Sequence, residues 1–446
     1  MYVLPAPSID DLIARLGTEA AFASMVAPIE VVPRDRYLHW DKLRHLTPPE
    51  GLSSEQWWLK IKLARSDELR RLPLADRDGS HFGYTLPDIV LRHLHHVDQR
   101  CSGEVAMDGV VTSEPEARKR YIVNSLMEEA IRSSQLEGAT TSRLTAKELL
   151  RSGRLPRDRS EQMIVNNYRG LEFMREQTGA SLTPDSLLEL HRILTVGTLD
   201  DPASAGRLQQ PGEPRVTVHD RDGGSVVHIP PPAEQLPERI QRLCDFANED
   251  DEEGAFVHPV VRAILLHFWL AYDHPFEDGN GRTARILFFW SMLSSGYWMA
   301  EYLPISRLIS TGRRQYGKAF LEAETDAGDT TYFLLHQLEL IERAIEDLQS
   351  YLRRKTVEQR DVKKLLDDLD DLNGRQVVLL THAIKHPDHT YTFGGHAHSN
   401  RVTHETARAD LGALAERGLL ARRRRGRSYV FEPAPDLPQR LRESPG

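Results

Sequence analysis

HPFEDGNGRTAR, residues 274–285, places a histidine, two adjacent acids, two glycines around an asparagine, and two arginines within twelve positions. Its flanks decide what the stretch is. HPVVRAILLHFWLAY (258–272) precedes it, and TARILFFWSMLSSG (283–296) continues from its end. Both flanks are apolar on most sides, the pattern of helices buried in a core. A polar, glycine-rich loop between two buried helices is a site held on rigid supports.

The residue types in the loop point to one kind of chemistry. Gly279, Asn280 and Gly281 stand just before a helix, where glycines let backbone N–H groups turn inward and the helix start adds positive charge; together they form an anion cradle. Arg282 and Arg285 are three apart and share a helix face, and two guanidiniums fit a polyphosphate better than a single carboxylate. Asp278 at the edge of the cradle is placed to hold Mg2+, which shares its shell with phosphate oxygens. His274, with an ordinary imidazole pKa of about 6.5, suits a general base. A base, a metal acid and a triphosphate cradle imply transfer of a nucleotidyl or phosphoryl group to a hydroxyl. Phe276 and Ile286 are expected to anchor the loop in the core, and Glu277 to face solvent.

Around this centre the chain reads as mainly helical. SIDDLIARL opens with a capping serine. WWLKIKLARSDELRRL (57–72) and PDIVLRHLHHVDQ (87–99) have helical spacing, with Trp57 and Trp58 as core or interface residues. YIVNSLMEEAIRSSQLEG (121–138) ends at a glycine stop, and PDSLLELHRILTVG (184–197) starts with proline in its first turn. PRVTVHDRDGGSVVHIPPP (214–232) alternates around DRDGG and reads as a β-hairpin, with Asp220 and Asp222 as turn residues. Leu334, Leu338, Ile341, Ile345, Leu348 and Leu352 form a heptad seam, open to packing within its own domain or to a homodimer contact. DVKKLLDDLDDLNG (361–374) is a charged connector. Beyond it come helix, short segment, a helix capped by Thr403 with Leu411, Leu414 and Leu420 facing a core, and a basic ribbon turning at Gly426. That is the pattern of a winged helix-turn-helix.

Composition bounds the partners. The chain has 446 residues, enough for two or three domains. A net charge of −9 excludes a general polyanion binder. Locally, EDDEE (249–253) is acidic, whereas residues 399–431 carry eight Arg against three acids, a net of +5. Arg422, Arg423, Arg424, Arg425 and Arg427 on the ribbon are candidate DNA-phosphate contacts. Cys101 and Cys244 make no CxxC, so a reducing, cytoplasmic setting is expected. The N-terminus lacks the pattern of a signal peptide, and the most apolar run is broken by Arg262 and His267, so no membrane partner is expected. His382, His386, His389, His396, His398 and His404 fit no zinc spacing.

HPFEDGNGRTAR resembles the Fic family signature, H-x-F-x-[D/E]-G-N-G-R-x-x-R, at every specified position. The resemblance implies a helical Fic core with a hairpin flap and transfer of AMP from Mg·ATP to a Ser, Thr or Tyr hydroxyl of a target protein or of the chain itself. By that likeness His274 is the base, Asp278 holds Mg2+, Gly279, Asn280 and Gly281 bind phosphate oxygens, and Arg282 and Arg285 meet the β- and γ-phosphates. The flap at about 215–229, with Val216, Val218, Val227 and Ile229, docks the target segment by strand pairing. After Gly206 the family pattern often has Arg where this chain has Gln209. SSQLEG (133–138) resembles the family's inhibitory motif: Ser133 and Glu137 share a helix face ahead of Gly138, and Glu137 would neutralise Arg285. In some members the same glutamate activates water to remove AMP, and others transfer UMP or phosphocholine. The expected organisation is an N-terminal helical region (1–115), a Fic domain (116–355) with its inhibitory helix at about 122–138, a linker (356–372) and a winged-helix domain (373–446). The alternative function is a DNA-binding regulator whose Fic domain responds to nucleotide or removes AMP.

Overall fold

The computed structural model describes residues 2–19, 36–101, 115–219, 226–249, 256–367, 372–400, 402–425 and 428–443. It divides into two compact units, one running through Leu348 and the other from Gln349.

The first unit begins with α1 (Ile9–Leu16), α2 (Trp40–Leu43) and α3 (Ser54–Glu68). Ser8 and Ser53 start α1 and α3 with reciprocal capping boxes. The helix expected over 57–72 stops early: Arg70–Ala75 is strand β1, paired antiparallel with β2 (His81–Tyr84). Leu72 precedes Pro73, which disfavours helical backbone. Asp76 Oδ1 then accepts the N–H groups of Asp78 (2.9 Å) and Ser80 (2.8 Å), folding the chain back. The N-terminal region is wired into the helical core. Arg65, fully buried, lies 3.6 Å from the Tyr37 ring and donates to Tyr332 (2.8 Å), while Lys62 pairs with Asp326 at 2.8 Å. Trp57 and Trp58 are buried, as expected.

The helices that follow are α4 (Asp88–Cys101), α5 (Pro115–Leu136), α6 (Arg143–Ser152), α7 (Arg159–Glu176) and α8 (Pro184–Thr195). The flap strands β3 (Val218–His219) and β4 (Val226–His228) pair antiparallel; the DRDGG turn with Asp220 and Asp222 lies outside the described residues. Then come α9 (Leu236–Asn248), α10 (Pro259–Asp273), α11 (Asn280–Ser294), α12 (Ile305–Thr311), α13 (Arg313–Glu324) and α14 (Thr331–Asp367), whose residues from Gln349 belong to the second unit. The pair α10 and α11 forms the centre. Every residue of α10 from Val260 to Leu270 is buried, as is α11 from Arg282 to Leu293. α11 starts at Asn280, three residues before its apolar run, so the glycine-asparagine-glycine segment is itself the helix start. Phe276 and Ile286 are buried and anchor the loop. On α14, Leu334, Leu338, Ile341, Ile345 and Leu348 are buried within this chain, so these seam positions pack into its own core; the Leu352 side chain lies outside the described residues.

The second unit contains α15 (Gly374–Lys385), α16 (Phe393–Asn400), α17 (His404–Glu416), β5 (Leu420–Arg425), β6 (Ser428–Pro433) and α18 (Leu437–Glu443). β5 and β6 pair in register from Leu420↔Pro433 to Arg425↔Ser428, and Tyr391 bridges to Phe431. Leu380, Leu411, Leu414 and Phe431 close the core. Buried Asp410 joins three elements by accepting from Arg375, Asn373 and His396. Burial opposes its charge, yet those bonds hold its carboxyl down to about 2. Among the described residues no helix is long and apolar enough to cross a membrane.

Candidate active site

His274 occupies the C-cap of α10 in left-handed backbone, φ 46° and ψ 52°. Such a conformation costs a non-glycine residue about 1–2 kcal/mol, so its surroundings must enforce it. Its Nδ1 lies 3.3 Å from Ala271 O. A carbonyl only accepts, so Nδ1 carries the hydrogen and Nε2 is the basic nitrogen. Burial pushes the imidazole down to about 4, so the ring is neutral at pH 7. The side chain lines a cleft of about 310 Å3 together with Gly281, Arg285, Glu137 and Tyr316.

The loop between base and helix is held from behind. The Asn280 carboxamide accepts from Phe276 N–H (2.9 Å) and donates to Phe276 O (2.8 Å), so its side chain staples the loop, leaving only its backbone for an anion. Gly279 sits at φ 87°, where a Cβ would come within 3.0 Å of Thr195, and no side chain caps the start of α11. Asp278, its side chain 39% exposed, accepts the Gly279 N–H (2.6 Å) and pairs with Arg282 (3.1 Å). Arg282 is fully buried; besides Asp278 it donates to Leu194 O at 3.0 Å, bracing the loop against α8. An arginine four residues after an acid on one helix turn pairs with it locally. Sequence reasoning missed His191 on α8. Its Nδ1 accepts from Gly206 N–H (3.0 Å), so its Nε2 donates to Asp278 O (2.9 Å), while its ring stacks on Phe276 at 3.8 Å. Burial, with Arg282 nearby, lowers it to about 4, keeping it neutral.

Arg285 points into the cleft, and α5 meets it there. Its Nε donates to Ser133 Oγ (2.9 Å), and its Nη2 donates to Ser133 O (3.2 Å) and to Glu137 Oε1 (2.7 Å). Burial works against the guanidinium charge, but Glu137, with Tyr316 and Glu129 beside it, more than offsets it and the pKa is raised. Gly138 lies just past the helix end at φ 100°. A Cβ built on Gly281 would fall 2.3 Å from Glu137 Oε1, so the carboxylate rests directly over the loop. Behind it the Tyr316 hydroxyl meets His267 Nε2 at 2.9 Å.

Val218 and Val227 of the flap face the cleft; Val216 is half-buried and Ile229 is 48% exposed. Gln209 is buried, donates to Pro214 O at 3.1 Å and accepts from Arg215. Arg215, His228 and Glu324 also escaped the sequence reading: the hairpin pattern marked the segments around Arg215 and His228 but not what they touch, and Glu324 ends α13. Among the described residues no group of three His, Cys, Asp or Glu side chains is arranged to hold a metal ion, so any cation here must take most of its ligands from elsewhere.

Residues 181–292 match the Fic/DOC family model. Over 121 residues the chain is 35% identical to Protein adenylyltransferase Fic of Nematostella vectensis, covering 27% of this chain and 25% of that one. Over 169 residues it is 30% identical to Protein adenylyltransferase fic-1 of Caenorhabditis elegans, covering 36% of this chain and 30% of that one. The alignments thus span less than a third of these relatives' length. The crystal structure of a Fic family protein from Desulfovibrio desulfuricans superposes with a TM-score of 0.53 at 19% identity, covering 79% of this chain and 98% of that one, which shows a shared fold. Residues 181–292 thus match the Fic/DOC family model, and the chain around them shares its fold with a Fic family protein.

Proposed function

We propose that the chain is a protein adenylyltransferase moving AMP from ATP to a Ser, Thr or Tyr hydroxyl. One observation carries this reading: a neutral His274 with a basic Nε2 shares a cleft with Gly281 and Arg285 at the uncapped start of α11. The names of the aligned relatives support it. In the step proposed, the target hydroxyl gives its proton to His274 Nε2 as its oxygen bonds to the α-phosphorus. The α–β anhydride breaks and pyrophosphate leaves, stabilised by backbone N–H groups of the loop and by Arg285. Asp278 fits a Mg2+ site of the kind that uses one carboxylate and substrate phosphates; the ion would neutralise phosphate charge. Arg282 holds Asp278 in place. The strands at Val218 and Val227 would dock the target segment.

Glu137 is the proposed brake. Its carboxylate occupies the guanidinium that a γ-phosphate needs, so ATP must displace it to bind productively. The deciding experiment incubates the Glu137→Gly chain with Mg2+ and ATP labelled at either the α or the γ position. Covalent label from α alone, absent in His274→Ala, is expected; label from γ, or retention in His274→Ala, would overturn the reading.

For the second unit we propose a winged helix-turn-helix that contacts DNA. Arg422, Arg423, Arg424 and Arg425 are all exposed on β5 beside α17, which favours this reading; Arg427 and Gly426 lie outside the described residues.

A further inference from the structure

A helix leaves its last carbonyls without intrahelical partners. At the end of α10 each of them finds a donor. Leu270 O takes the His274 N–H (3.0 Å) and Ala271 O the His274 ring (3.3 Å). Tyr272 O takes His228 Nε2 at 2.7 Å. Asp273 O and His274 O share Arg215 Nη2, at 2.8 and 3.1 Å. Three of these five carbonyls, the last three in sequence, are therefore held by side chains of the flap.

Among the described residues the flap ladder has two pairs, Val218↔His228 and His219↔Val226, with an irregularity between them. An isolated hairpin of that size is marginal in water. Arg215 joins its two ends, since Nε donates to Pro231 O (2.8 Å) and Nη1 to Gln209. His228 pins the returning strand a second time, with Nδ1 2.8 Å from Glu324 Oε2 on α13. The same two side chains thus fix the flap and the left-handed backbone that aims His274.

We propose that Arg215 and His228 are positioning residues that make the flap the C-cap of α10, so that a hydroxyl presented by a flap-docked segment arrives in register with His274 Nε2. The inference rests on the transferase reading above. It predicts an effect on the chemical step with little effect on nucleotide affinity, because neither side chain belongs to the phosphate cradle.

The test uses the full chain carrying Glu137→Gly, with Arg215→Ala, Arg215→Lys or His228→Gln added. Self-modification by labelled Mg·ATP should fall about 10- to 100-fold, the usual consequence of small misplacement of reacting groups. ATP affinity by calorimetry should stay within about twofold of the parent. Guanidinium at a non-denaturing concentration should restore part of the rate in Arg215→Ala, which no general loss of packing would permit. Lysine should not rescue, since one ammonium cannot span Pro231, Gln209 and the helix end. Rates close to the parent in Arg215→Lys and His228→Gln would overturn the inference, as would ATP affinity falling in step with rate. A Glu137→Gly parent that incorporates no AMP would instead sink the transferase reading itself.

Discussion

Replacing Glu137 by glycine should raise activity while lowering stability. The Arg285 side chain is 6% exposed and Glu137 29% exposed, with 2.7 Å between Nη2 and Oε1. A hydrogen bond to a charged group contributes about 1.5–3 kcal/mol net. The partial exposure of Glu137 places this pair in the lower part of that range. At about 1.4 kcal/mol per decade, freeing Arg285 should raise AMP incorporation about 10- to 50-fold. Glu137→Gln should give a smaller rise, because its amide oxygen can still accept from Arg285 at about 0.5–1.5 kcal/mol. The gap between the two variants separates charge from bulk. Stability moves the other way. Glycine removes the carboxylate from a buried Arg285, and loss of one partner from a half-buried pair should cost about 1–2 kcal/mol. The assay is intact mass after incubation with Mg·ATP, read beside a thermal unfolding curve of the same sample. A rate unchanged across limiting and saturating ATP, with the melting temperature lowered as expected, would refute the brake: the pair would then be structural only.

Other expectations follow from the same geometry. Because burial holds His274 at about 4, kcat/KM for ATP should stay flat from about pH 8 to pH 5 and fall only towards pH 4; a midpoint near the ordinary histidine value in rapid assays would refute its assignment as a buried neutral base. Burial likewise depresses His39, His191 and His336 to about 4 and His267 to about 3. Below the unfolded pKa of about 6.5 the unfolded chain binds more protons than the folded one, so this stability is present above that pH and lost as pH falls through 6.5 towards 4, at about 1.36 kcal/mol per pH unit per histidine. Urea midpoints that do not change over that window would contradict the burial of these rings. If the β5 ribbon grips DNA, log affinity for duplex should fall linearly with log salt, and replacing Arg422 and Arg424 by alanine should flatten the slope by about 0.9 for each phosphate no longer neutralised; no salt-dependent binding at low ionic strength would remove the DNA reading.

What the sequence disclosed depended on how far apart in the chain the interacting groups lie. The proposed base, cradle and arginines were legible as candidates because they share twelve positions between two apolar runs, and the loop they form is local. Glu137 was legible only as a helix-face neighbour of Ser133; that it reaches Arg285, 148 positions away, is a tertiary fact. Arg282 carries two local signals: its spacing of three from Arg285 suggests a shared helix face, and its spacing of four from Asp278 an ion pair within one turn. The structure shows the pair with Asp278, and the further bond to Leu194 O on α8 is a tertiary fact that no spacing could give. The strand at Arg70–Ala75 was hidden by an apolar count that fits either period, with Pro73 as the one available cue.

His191, Arg215, His228 and Glu324 left no trace in the pattern, and the reason is physical. Each is a lone polar residue whose partner is mainly a backbone carbonyl or a distant side chain, and a carbonyl has no sequence identity. A helix that ends in a strained left-handed histidine must find donors for its last carbonyls. The need was readable from the sequence, since a helix followed by His-Pro cannot continue its ladder through the proline. Which residues meet that need is decided only when the hairpin folds back over the helix end. Catalytic groups cluster in sequence when one loop must present them together; the groups that aim them come from whichever element packs across the open end of the helix.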